Sequence, residues 1–186
     1  GELIMFSVPF YQYQIENWQD KKQKLLEICS TIDFKNQDIG NKKLNSYNAD
    51  NLYTDYRSGN HNNYRDDVVS ILKDELHNFK KDAKLDVMRV GEAWFQQYYK
   101  TQFHQPHNHG NCGYSSVTYI KFNKDKHVPT IFIAPFTDPR GDIINFVPKV
   151  DEGHIIFFPS MITHYVQPNK SNDIRIILSF NVNISN

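Results

Sequence analysis

The chain has 186 residues, 39% hydrophobic and 23% charged, enough for one compact core and too few for two ordinary domains. Its 21 basic side chains balance 21 acidic ones, so the formal net charge is zero. That balance argues against a general electrostatic attraction to nucleic acid or to a membrane surface.

Along the chain, residues 3–10 form a short apolar run ending near Pro9, which predicts an edge strand. Residues 16–29 read as a helix, with Trp18, Lys22, Leu25, Leu26 and Cys29 at helical spacing and Lys21, Lys22 and Lys24 in solvent. Residues 33–63 are polar and rich in Asn, Asp and Gly. They predict a long loop, either a substrate-contacting arm or a plain surface excursion. Residues 64–82 give the clearest helix. Val68, Leu72, Leu76 and Phe79 make one apolar stripe, with Asp66 and Asp67 in its first turn and Lys80 and Lys81 in its last, as the helix dipole favours.

From Asp86 onward the hydrophobic period is two. Strands are predicted over 86–100, 113–123, 130–135, 143–147, 154–158, 162–167 and 173–184, separated by Gly and Pro. Seven short strands in about 100 residues imply a sandwich or barrel. The expected architecture is a mainly β double-stranded β-helix, a cupin-like jelly roll, buttressed by two N-terminal α-helices. It forms one domain over 1–186, with 1–85 as buttress and 86–186 as core. The last strand carries the sharpest pattern. Ile174, Ile176, Leu178, Phe180, Val182 and Ile184 share one face, and Arg175, Ile177, Ser179, Asn181 and Asn183 share the other. A barrel with a polar interior would aim Arg175 into a cavity.

Three of the eight histidines fall in Phe103-His104-Gln105-Pro106-His107-Asn108-His109-Gly110. Residues two apart in an extended chain project to one side, so His107 and His109 can reach one ion. Imidazoles suit divalent iron, zinc, copper or nickel. The best further ligand is His164, which opens a returning strand after Phe157-Phe158-Pro159-Ser160. Arg175 follows eleven residues later, and its planar fork suits a carboxylate. The remaining polar candidates have plainer readings. His104 either stands behind the ligands or belongs to the rim or surface, the last two favoured; His61 and His77 belong to the surface, and His127 and His154 lie outside the motif. Trp94 is assigned to the core and Phe95 to the barrel wall. Phe157 and Phe158 face opposite ways, so one of them touches the pocket. Cys112 is a loop thiol. With Cys29 it makes no C-x-x-C pair, which predicts two reduced thiols in a cytoplasmic protein. No apolar run reaches the roughly 20 residues of a membrane span, and Gly1 to Phe6 lack the features of a secretory signal.

Several stretches resemble the 2-oxoglutarate and Fe(II)-dependent oxygenase superfamily, and more narrowly a group of its members common in bacteriophages and marine bacteria. They are Trp94 through Gly110, Gly113-Tyr114-Ser115-Ser116-Val117-Thr118-Tyr119-Ile120, Gly153 through Ser160, His164, Pro168-Asn169, and Arg175 through Asn181. The resemblance implies iron ligation by His107 and His164 and a salt link from Arg175 to the far carboxylate of 2-oxoglutarate. It also implies a hydrogen bond from Tyr119 to that co-substrate and a pocket lined by Ser179 and Asn181. The implied reaction consumes 2-oxoglutarate and O₂ and hydroxylates a substrate, with a peptidyl, prolyl-like target or a small metabolite favoured. The chain departs from the superfamily in carrying His107-Asn108-His109 where His-x-Asp or His-x-Glu is usual. His109 is then either a third neutral ligand, or that position falls to water or chloride. The Arg-x-Ser pattern of some relatives is also missing, because Ile177 stands two after Arg175. Two other readings compete. One is a three-histidine jelly-roll dioxygenase that uses no 2-oxoglutarate. The other is a non-catalytic jelly-roll binding module of a phage. Oligomeric state is not legible.

Overall fold

The computed structural model describes residues 1, 3, 7–35 and 51–185. Ten strands and three helices lie among them, and the strands form two antiparallel sheets. The helices are α1 (Trp18–Ser30), α2 (His61–Ile71) and α3 (Lys73–Asp82). The larger sheet runs in the order β1 (Tyr11–Gln14), β8 (His154–Pro159), β5 (Tyr114–Lys121), β10 (Arg175–Ser185), β3 (Val87–Tyr98), β2 (Tyr53–Thr54). The smaller runs β4 (His104–His107), β9 (His164–Val166), β6 (Ile131–Thr137), β7 (Ile143–Phe146). Two facing antiparallel sheets make the expected double-stranded β-helix, with helices on the outer side of the larger sheet.

Alternation along the strands divides the larger sheet into two faces. Ile176, Leu178, Phe180 and Val182 of β10 join Phe95 of β3 and Phe157 of β8 in a core shared with Leu25, Val68, Leu72, Leu76 and Phe79 of the helical layer. Ile177, Tyr98, Tyr119, Ile156 and Phe158 face the other way, into the space between the sheets. Burying each large side chain of this kind stabilises the fold by about 1.5–3 kcal/mol. Trp94 and Phe95 therefore exchange the roles expected of them. Phe95 packs on the helices, and Trp94 faces inward with Ser179 as its β10 partner.

Several expectations are corrected. The edge strand is Tyr11–Gln14, next to the apolar run; residues 3 and 7–10 are not strand, and the rest of that run lies outside the described residues. The 64–82 helix is two helices that meet at Leu72, yet the stripe Val68, Leu72, Leu76 and Phe79 stays buried throughout. Because α2 begins at His61, Asp66 and Asp67 lie beyond its first turn, and the acidic residues at a helix start are Asp74 and Glu75 of α3. Lys21 is buried rather than solvated, with Nζ 3.1 Å from the Glu75 carboxylate, because α1 packs across the helical layer.

Within the expected 33–63 loop, residues 51–63 carry structure. β2 extends the sheet beside Gln96 and Gln97, and Leu52 packs between the sheets. The Asp55 carboxylate accepts from the Phe95 amide at 2.8 Å and from the Tyr64 hydroxyl at 2.7 Å. Residues 51–60 are thus a strut on β3, whereas 36–50 lie outside the described residues. No helix among the described residues is long and apolar enough to cross a membrane.

Candidate metal centre

β4 was not among the predicted strands because Pro106 interrupts it. Proline is tolerated there because β4 is the edge of the smaller sheet and needs a partner on one side only. Its partner is β9, in a register that sets His107 directly opposite His164. His109 lies past the end of β4, and the loop that holds it is latched to Ser160. The His109 amide donates to the Ser160 carbonyl (2.8 Å), Ser160 Oγ to the Gly110 carbonyl (2.6 Å), and the Ser160 amide to the Gly113 carbonyl (2.9 Å). Gly113, with φ of +103°, brings the loop so close to β10 that a Cβ there would stand 2.8 Å from the Val182 carbonyl oxygen. Only glycine fits that conformation and that approach.

The ligand atoms of His107, His109 and His164 all lie within 4.8 Å of one another. Each ring is held from behind through Nδ1. His107 Nδ1 is 2.8 Å from the Gln105 carbonyl, His164 Nδ1 2.9 Å from the Ile162 carbonyl, and His109 Nδ1 3.1 Å from Asn181 Oδ1. An acceptor at Nδ1 fixes the proton there and leaves Nε2 with a free lone pair, the tautomer that binds metal. The Nε2 atoms of His109 and His164 face each other at 3.2 Å. Two lone pairs at that distance repel unless a cation lies between them. Nitrogens bound at about 2.1 Å and at right angles to one ion would be roughly 3.0 Å apart. Burial keeps the rings neutral, as ligands must be. It holds His107 below the usual histidine range and His164 well below it, and with the nearby His107 it brings His109 down to about 4. The donor set fits a divalent ion.

Arg175 lies in the same interior, 1% exposed, directly opposite Tyr98 in the β10–β3 register. Its guanidinium sits 4.8 Å from the Tyr98 ring centre and 5.6 Å from that of Tyr119. Nη2 donates to Thr130 Oγ1 at 3.2 Å, and Nε and Nη1 have no hydrogen-bond partner among the described residues. A buried charge without a counterion costs several kcal/mol. Donors left unmet in this way fit an anion.

The other expected residues are also located. The Tyr119 hydroxyl accepts from the Thr130 amide at 3.2 Å, which sets it beside Arg175. Ser179 faces the interior from the centre of β10. Asn181 accepts from Ser115 Oγ at 2.9 Å and braces His109. Phe158 is the member of its pair that touches the site, 4.9 Å from the His164 ring. His104 is neither rim nor surface. It is 6% exposed and stacks on His107 with centroids 3.8 Å apart. Tyr98, Gln96 and Thr130 also belong to the site. The alternation Trp94, Gln96, Tyr98 held a signal for the first two, but it could not be read without the sheet register.

The fold and this cluster together define a metal-binding jelly roll. Residues 92–181, which contain every side chain named around the cluster, match the model of a family described as "Putative 2OG-Fe(II) oxygenase". No curated protein matches the chain. Among solved structures, it is similar to a viral collagen prolyl hydroxylase of Paramecium bursaria Chlorella virus-1 in complex with 2OG, at 12% identity and TM-score 0.61 over 95% of this chain and 96% of that one. It is similar to a prolyl-4-hydroxylase of Pseudomonas putida, at 12% identity and TM-score 0.60 over 97% and 95%. HygX of Streptomyces hygroscopicus, with nickel and 2-oxoglutarate bound, follows at 10% identity and TM-score 0.59 over 96% and 83%. At such identities the likeness establishes a shared fold.

Proposed function

We propose that this chain is a non-haem Fe(II) dioxygenase that couples oxidative decarboxylation of 2-oxoglutarate to hydroxylation of a peptidyl, prolyl-like target. The observation that carries the reading is the Arg175 guanidinium, buried with two partnerless nitrogens in the interior that also holds three convergent imidazoles. A ligand with a metal-chelating head and a distal carboxylate answers both features at once. His107, His109 and His164 hold the iron, and the Gln105 and Ile162 carbonyls with Asn181 orient them. Arg175, Thr130 and Tyr119 bind the far carboxylate, with Ser179 on the wall. Iron, when bound, supplies the oxygen-activating chemistry: 2-oxoglutarate and O₂ are consumed, succinate and CO₂ leave, and one oxygen atom enters a substrate C–H bond.

A groove of about 360 Å³ supports an uncharged substrate. Its lining includes Val8, Phe10, Phe136, Phe146 and Ile162, and among the described residues no charged side chain. Phe132, also in its wall, stands 5.7 Å from the His164 ring. The edge strand β7 beside it is exposed along its whole length. An extended peptide suits such a groove and edge, and two of the similar structures are prolyl hydroxylases.

A three-histidine dioxygenase without 2-oxoglutarate is the second reading, favoured by His109 in place of a carboxylate. It gives Arg175 no role. Anaerobic Fe(II) and 2-oxoglutarate should produce a weak visible charge-transfer band and raise the melting temperature. Arg175→Ala should remove the 2-oxoglutarate response while metal still binds. A wild-type protein that binds Fe(II) but shows neither band nor stabilisation rejects the first reading in favour of the second. Mass gain of one oxygen on a proline-containing peptide tests the substrate.

A further inference from the structure

The interior holds a fourth histidine whose hydrogen-bond polarity is opposite to that of the other three. The polarity can be followed from Arg175. A guanidinium is a donor only. That of Arg175 lies 4.8 Å from the Tyr98 ring centre and has no acceptor for the Tyr98 proton. The Tyr98 proton then goes to Gln96 Oε1, 2.9 Å away. With its oxygen so engaged, Gln96 presents its amide nitrogen to His104 Nδ1 at 3.4 Å. That nitrogen donates, so His104 Nδ1 accepts and the His104 proton resides on Nε2.

The ligand histidines therefore offer lone pairs, whereas His104 offers an N–H. Among the described residues that N–H has no hydrogen-bond partner. His104 stacks on the ligand His107, so it stands at the metal end of the interior. Tyr98 and Gln96 connect it to the guanidinium at the other end.

We infer that His104 donates a hydrogen bond to the 2-oxo acid head of the co-substrate, positioning the ligand rather than the metal. The inference rests on the function proposed above. Arg175 would then select the distal carboxylate and His104 the head, with the Gln96–Tyr98 pair setting the polarity of the second from the charge of the first.

The test uses two probes and two substitutions. 2-Oxoglutarate has both the head and the distal carboxylate; pyruvate has the head alone. Their affinities are measured anaerobically on the Fe(II)-loaded protein. His104→Phe keeps a ring against His107 and loses the N–H. It should weaken both probes by a similar factor, about tenfold or more, with Fe(II) affinity unchanged within twofold. His104→Gln, which keeps a donor, should recover most of that loss. Arg175→Ala should weaken 2-oxoglutarate alone. Unchanged affinity for both probes in His104→Phe overturns the inference and leaves the proposed function standing. A matching loss of metal affinity overturns it too, by making His104 a ligand. A wild-type protein that binds Fe(II) but neither probe overturns the function and this inference together. Nitrogen NMR of the wild-type protein gives a readout independent of folding in the variants. The His104 proton should sit on Nε2 and its resonance should move when Zn(II) and 2-oxoglutarate are added; a proton on Nδ1 overturns the inference.

Discussion

The two faces of the larger sheet use the same strands and the same alternation for opposite ends. On the helix side, β10 presents Ile176, Leu178, Phe180 and Val182 to a closed apolar layer. On the inner side, the same strand presents Arg175, Ser179 and Asn181, and the Arg175 guanidinium is buried with donors unmet. One face maximises burial. The other holds groups whose burial is unfavourable until a ligand arrives. Stability and binding are thus separated residue by residue along one strand, and substitutions on the two faces should move different quantities.

The largest effect is expected on the helix side. Phe79 stacks on Phe157 with centroids 4.1 Å apart and rings nearly parallel. Phe79→Ala should cost about 3–5 kcal/mol in denaturant unfolding while leaving metal affinity per folded molecule unchanged. A loss of metal affinity equal to the loss of stability would blur the division.

Acid should act through the inner face. Histidines held below their ordinary pKa take up protons on unfolding. Their contribution to stability is therefore complete above the unfolded value, about 6.5, and is lost as pH falls toward the folded one. For His109 the window runs from there down to about 4 and is worth on the order of 3 kcal/mol. The metal-free protein should lose stability steadily below pH 6.5 in calorimetry, and bound divalent metal should move that loss to lower pH. A flat profile between pH 6.5 and 4 would contradict the neutral, buried trio.

The smallest effect has the opposite sign. Arg175→Met replaces an uncompensated charge with a side chain of similar length. It should stabilise the ligand-free protein by about 1–4 kcal/mol. Destabilisation would mean that the guanidinium already has a counterion.

The strand content, the apolar stripe of the helical layer and the inward aim of Arg175 were legible because each follows from local periodicity. The position of His104 was not. Its neighbourhood contains Pro106, which disguises β4, and its burial depends on β9 lying alongside. Tyr98 and Gln96 escaped for a related reason. They belong to the site only through the pairing of β3 with β10, eighty residues away, and pairing is a property of the folded sheet. Lys21 misled because a charged residue on a helix ordinarily faces water, whereas here Glu75 is buried opposite it. The polar composition of 33–63 hid the strut at Tyr53–Thr54 for want of apolar periodicity.

The position of β10 constrains how the molecule can be made. It follows every other strand in the sequence, yet it sits between β5 and β3 and bonds to both. A growing chain must therefore keep two neighbouring edges apart until residues 175–185 leave the ribosome. Such delayed, sequence-distant pairing is slow and leaves strand edges open to aggregation. Assembly is gated by synthesis of the segment that also brings the guanidinium, so the anion pocket and the central sheet should appear in a single late event.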